Sequence, residues 1–83
     1  MIVGAKGSNA NEAAIGVMET VGRRLRETRS TSGYTRGQVA GLVEISLRSL
    51  GRYETGKRLP RSDTLVRLAS AYKRPAGWFF EEP

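Results

Sequence analysis

Between Asn11 and Ser32 the apolar residues Ala14, Met18, Val21 and Leu25 are spaced four, three and four apart, the period of one face of an α-helix. Arg23, Arg24, Arg26 and Arg29 read as lying off that stripe, and Gly33 supplies a stop. Thr35 with Gln38 three residues on has the form of a capping box. It opens a second helix over 36–43, with Val39, Ala40 and Val43 turned inward. "VEIS" leaves room only for a tight connection. Ser46 then caps a third helix over about 47–55, ended by Gly56. "KRLPRS" reads as a loop, and Ser62 as the cap of a fourth helix with the stripe Leu65, Leu68, Ala69 and Tyr72. Pro75 stands at the start of a last short helix, "AGWFFEE". The opening "MIVGAKGSNA" has no usable period and reads as a flexible arm. Neither a strand pattern nor a repeat is present. The prediction is an all-α chain: an arm over 1–10, then one five-helix domain over 11–83 whose first helix is long for its size.

At 100° per residue, Leu50 and Tyr53 share one side of the third helix, and Arg48, Arg52 and Thr55 share another. The helix thus has an apolar side for a core and a basic side facing out. Two short capped helices with a tight connection, the second basic on its outer face, form the helix-turn-helix arrangement. In that motif the second helix enters the major groove of DNA and its early residues meet base edges.

Charge strengthens this reading. The chain carries a net +6. Residues 23–61 hold ten basic and three acidic residues, a net +7, while the remainder is at −1. Basicity gathered in one segment is the expected mark of a phosphate-binding face. The absence of cysteine and histidine removes disulfide scaffolds, zinc fingers, thiol nucleophiles and imidazole bases. The acids form no carboxylate motif, so neither an enzyme nor a metal or cofactor site is expected. No run approaches the roughly 18 apolar residues of a membrane span, and "MIVGA" lacks the cationic start and apolar length of a secretion signal. A cytoplasmic protein, in a bacterial cell or a phage-infected host, is expected. Eighty-three residues allow a single modest core.

The pieces "GRRLRETRSTSGYT", "QVAGLVEIS", "LRSLGRYETGKRLP", "DTLVRLASAY" and "GWFF" resemble the phage repressor and Cro-type helix-turn-helix family, also called the xenobiotic-response-element type. The likeness is most specific in "RYETGKRLP" and extends over residues 22–80. It implies a lambda-repressor-like five-helix domain that binds double-stranded DNA, usually as a homodimer on a two-fold symmetric operator. Carried over by position, it places Ser46, Leu47, Arg48, Ser49 and Arg52 against base edges. Thr35, Arg36, Lys57 and Arg58 would meet phosphates. Glu54 would tie back to Arg24 or Arg26. Trp78, Phe79 and Phe80 would supply the dimer contact, with Ala14, Met18 and Val21 as the rival surface. Because three adjacent aromatics cannot all point inward on one helix, at least one should be exposed.

Four positions depart from the family pattern. Glutamines common at the positions of Arg36 and Leu47 are absent. Glu44 stands where the family favours glycine for a left-handed backbone, at a cost of about 1–2 kcal/mol. Gly51 lies inside the third helix, costing roughly 1 kcal/mol relative to alanine. The expected mode of action is a repressor that occupies its operator, with half-site centres about 34–36 Å apart. With the chain ending at Pro83, no ligand-sensing or second oligomerisation domain is expected after it. The alternative from another class is a protein-binding module, an antitoxin or anti-repressor whose basic face meets an acidic protein. A membrane-surface role for the first helix is disfavoured by its narrow stripe without aromatics. Lys6 gives the arm one cation that could touch DNA.

Overall fold

The computed structural model describes the backbone of residues 6–81 and the side chains of residues 11–81. Among the described residues, four α-helices follow in chain order, α1 Lys6–Ser32, α2 Arg36–Val43, α3 Leu47–Glu54 and α4 Ser62–Ala71, and a 3-10 helix, Ala76–Phe80, comes last. The all-α prediction with a long first helix holds, and its fifth segment winds as 3-10 rather than α. No strand occurs among the described residues.

Residues 6–10 of the predicted 1–10 arm are helical. Helix α1 begins at Lys6, because Ala10, Ala13 and Ala14 are strong helix formers that outweigh the sparse period before them. Residues 1–5 of the arm, and the side chain of Lys6, lie outside the described residues. Toward its other end α1 buries Val21 and Leu25 and packs along α3 and the 3-10 helix. Gly22 sits at the closest approach. A Cβ built there would fall 2.5 Å from the Tyr53 carbonyl oxygen and 3.0 Å from the Gly56 nitrogen. Only a residue without a side chain lets α1 lie this tightly against the end of α3.

The predicted caps bind as written, with one exception. Gln38 donates its backbone N–H to Thr35 Oγ1 at 3.1 Å, and Thr35 returns its own N–H to Gln38 Oε1 at 2.8 Å. Ser46 Oγ accepts the Ser49 N–H at 3.0 Å. At α4 the N-cap is Arg61, whose side chain makes no capping bond, and Ser62 is already helical. The Arg61 carbonyl accepts the Leu65 N–H at 2.8 Å, which starts the helix one residue earlier than Ser62 suggested.

The core joins Val21 and Leu25 of α1, Val39 and Val43 of α2, Leu50 of α3, Leu68 of α4 and Phe79. The three consecutive aromatics part company here. Phe79 is 0% exposed and meets the Trp78 ring edge-on at 5.0 Å. Trp78 is half-buried, with the guanidinium carbons of Arg24 and Arg74 lying 4.1 and 4.0 Å from its ring centre. Phe80 is 46% exposed. The expected exposed aromatic is therefore Phe80. Phe79 is withdrawn from the dimer candidates, since the domain's own core already covers it.

Candidate nucleic-acid interface

The turn between α2 and α3 sets the geometry. Glu44 adopts the left-handed conformation, φ 58° and ψ 49°, and its N–H bonds back to the Ala40 carbonyl. Ile45 N–H also reaches the Ala40 carbonyl, at 3.0 Å. The chain thereby reverses in three residues and presents Ser46 as the first residue of the outward helix. The left-handed backbone inferred for position 44 is present, carried by a glutamate.

Helix α3 turns Leu50, Tyr53 and Glu54 inward and leaves Leu47, Arg48 and Arg52 exposed, with Ser49 half-buried. Ser46 is more committed than the sequence implied. Its hydroxyl caps the helix and also donates to Ser49 Oγ at 3.0 Å. Thr55 shares the basic side, but its hydroxyl donates to the Gly51 carbonyl at 2.8 Å. Among the described side chains at the head of α3, the guanidinium of Arg48 and the hydroxyl proton of Ser49 are thus left to meet an outside partner. Lys57 and Arg58 flank the other end, where their backbone N–H groups both donate to the Arg52 carbonyl, at 3.0 and 3.3 Å. That pair of bonds folds the loop back against the end of the helix, with both residues exposed.

Glu54 is the anchor of this arrangement, and its partners differ from those expected. Its side chain is 0% exposed. Arg29 grips it with two bonds, Nε to Oε2 at 2.6 Å and Nη2 to Oε1 at 3.1 Å. Arg36 Nε donates to Oε1 at 2.9 Å. Arg24 lies on Trp78 instead and donates to the Glu81 carbonyl, while Arg26 reaches only the backbone carbonyl of Glu54. The signal for Arg29 was present in the sequence. It follows Leu25 by four residues and so continues the apolar stripe, which corrects the reading that set it off the stripe with Arg23, Arg24 and Arg26. An arginine in line with a buried stripe needs a buried anion, and Glu54 is the acid that α3 carries inward. The bond to Glu54 raises the Arg29 pKa above its ordinary value, so its charge is secure.

Arg36, assigned to phosphate, is thus first a strut between α2 and α3. Its side chain remains 42% exposed. A Cβ built on Gly51 would lie 3.9 Å from Arg36 Nη1, so the guanidinium spreads over the helix beside Gly51. Alanine would fit at 51, whereas a longer side chain would meet Arg36. The helix thus gathers Arg36, Arg48 and Arg52 on one side, with Lys57 and Arg58 at its end. Thr35 sits at the edge as the cap of α2.

Comparisons with known proteins agree with this geometry. A profile described as a helix-turn-helix domain matches residues 20–77. The chain is 38% identical over 53 residues to the HTH-type transcriptional regulator ImmR of Bacillus subtilis, spanning 64% of this chain and 42% of that protein. It is 35% identical over 49 residues to the SPbeta prophage-derived HTH-type transcriptional regulator YonR of the same organism, spanning 59% and 45%. The chain therefore matches less than half the length of these curated relatives. Among solved structures, the restriction-modification controller protein C.AhdI of Aeromonas hydrophila superposes with a TM-score of 0.72 at 27% identity, covering 76% of this chain and 96% of that one. With the left-handed turn, the outward basic helix and the matched span in agreement, the chain belongs to the helix-turn-helix domain family.

Proposed function

We infer that this chain is a sequence-specific double-stranded DNA-binding transcriptional regulator, a small repressor of the phage type that acts by occupying its operator. The single observation that carries the reading is α3, held rigidly by Glu54 and presenting Arg48 and Arg52 outward between a tight turn and the Lys57–Arg58 loop. In this reading Arg48, Ser49 and Arg52 meet base edges, Leu47 packs on a thymine methyl, and Ser46 positions the helix through its cap. Thr35, Lys57, Arg58 and the exposed edge of Arg36 hold phosphates. Two copies sit on a two-fold symmetric site with half-site centres about 34–36 Å apart. The family membership, and relatives named as transcriptional regulators, support it. No described helix is long and apolar enough to cross a membrane, and a place on the nucleoid in the cytoplasm follows from the function proposed.

The test is selection from random duplexes combined with a salt titration. An enriched palindrome together with a steep loss of affinity with salt is expected. On the selected site Arg48→Ala should cost about 1–3 kcal/mol and relax preference at one base pair. Lys57→Ala should weaken all sequences alike and reduce the salt slope by about 1. Salt dependence without any enriched sequence would instead favour the protein-binding module, for which the exposed apolar Leu47 at the head of α3 speaks.

A further inference from the structure

The match to the helix-turn-helix family begins at residue 20, and the solved neighbour is accounted for over 96% of its length by about three quarters of this chain. The front of α1 therefore lies outside the span that the family profile matches. With it the molecule measures 50 × 23 × 20 Å and has a radius of gyration of 14.1 Å, where a compact chain of this length has about 12 Å. From Asn11 to Glu19 every residue is exposed or half-buried, and full burial starts at Thr20.

The apolar stripe does not stop where burial stops. The face that carries Val21 and Leu25 into the core continues through Ala14 and Met18, flanked by Ile15, 49% exposed, and Val17, 39% exposed. Lys6–Glu19 is fourteen residues of helix, and an isolated helix of about 12–15 residues is marginal in water. Such a segment gains stability when its apolar face is covered. Charge identifies what covers it. Residues 6–19 carry Glu12 and Glu19 against the single cation Lys6, a net −1, so the polyanionic backbone of DNA has little there to hold. An acidic protein would be drawn to the basic side of α3 instead. Two copies of a chain whose residues 23–61 carry +7 repel through their basic faces and approach more readily through a face poor in cations, such as this one.

We propose that the projecting half of α1 is a self-association helix: Ala14, Ile15, Val17 and Met18 of one copy pack on the same segment of a second copy and couple two domains on one DNA site. The proposal rests on the DNA-binding reading above. The projecting stretch is about 21 Å long at 1.5 Å per residue. Two such faces bury less than the about 1,200 Å² at which stable interfaces begin. Pairing is therefore weak in free solution and completes on DNA, which makes occupancy steep in protein concentration. Of the C-terminal aromatics, only Phe80 is left exposed to compete for this role.

The chain has no cysteine, so a single introduced thiol reports its own surroundings. Ile15→Cys, Val17→Cys and Met18→Cys are each oxidised on the selected two-fold site, with Ser70→Cys, exposed on α4, as the collision control and Phe80→Cys marking the rival surface. A disulfide-linked dimer forming faster than the control from at least one α1 thiol is expected. No such link from any of the three overturns the proposal. The second arm uses Ile15→Glu combined with Val17→Glu, checked for an unchanged unfolding midpoint. This variant should bind a single half-site duplex as the parent does, yet lose the steep concentration dependence on the full site and bind it about tenfold more weakly, a change of 1.4 kcal/mol. Unchanged binding to the full site would also overturn it. If selection from random duplexes returns no site, the DNA-binding reading has failed instead, and cross-linking of the free protein at high concentration then decides the pairing by the same criterion.

Discussion

Glu54 joins three helices with one carboxylate, receiving Arg29 from α1 and Arg36 from the start of α2. Removing its charge leaves two guanidinium groups facing a site built for an anion. Glu54→Gln should therefore destabilise the domain by about 3 kcal/mol in urea unfolding, a large share of the stability a small domain has. A loss within the ordinary surface range of about 0.5 kcal/mol would show that the carboxylate is dispensable. Tyr72 behaves oppositely. Its hydroxyl is buried without a hydrogen-bond partner among the described residues, and burial raises its pKa well above the ordinary tyrosine value. The folded state thus favours the neutral phenol. Its contribution is intact below the unfolded pKa of about 10 and is lost above it, at up to about 1.4 kcal/mol per pH unit, as the unfolded chain releases a proton that the folded chain keeps. Tyr72→Phe should leave stability at neutral pH equal or slightly higher and should flatten the fall above pH ~10, read as the difference between the two proteins.

At the scale of the element, glycines in helices separate by what surrounds them. Gly22 lies 2.5 Å, measured from a built Cβ, from the Tyr53 carbonyl, whereas Gly16 in the same helix has nothing within 4 Å. Gly22→Ala should cost about 1–3 kcal/mol through forced separation of α1 and α3. Gly16→Ala should gain up to about 1 kcal/mol from helix propensity alone. A matched pair of thermal melts checks both signs, and equal shifts would contradict the close approach. The α2–α3 turn offers a third comparison. Glu44 holds a left-handed backbone, φ 58°, so Glu44→Gly should raise Tm, with a gain of about 1 kcal/mol. An unchanged or lower Tm would count against strain at this turn.

Over the whole molecule, a compact domain and a projecting helix are joined without a break at Thr20. Within the domain, each element is pinned from the side away from α3's basic face: Gly22 admits α1, Glu54 binds α1 and α2, and Phe79 closes the core. Deleting residues 1–14 takes away no buried side chain among the described residues. In dilute protein the unfolding free energy should change by no more than about 0.5 kcal/mol, while the helical circular dichroism falls by the contribution of residues 6–14. A large loss of stability would mean that the projection supports the core. The charge distribution belongs to this scale as well. Residues 23–61 carry nearly all of the positive field, so salt sensitivity of any DNA binding should persist in the truncated chain.

The sequence by itself determined the helices and their order, apart from the start of α1 and the 3-10 winding of the last, and most of their caps. Apolar spacing of 3.6 residues, Thr35 with Gln38, and Ser46 act within one or two turns of chain, and such local effects are readable without knowing the fold. It also located the basic side of α3, because helical geometry alone places Arg48 and Arg52 together. Tertiary structure decided what depended on distant partners. Glu54 found Arg29 and Arg36 rather than Arg24 or Arg26, although the four-residue step from Leu25 to Arg29 pointed there. Gly22 is required only because the end of α3 arrives beside it, and Phe79 is core while Phe80 is surface only because a 3-10 turn closes on α1. A contact across the domain is set by the packing of two helices, and no residue carries that information in its own stretch of chain.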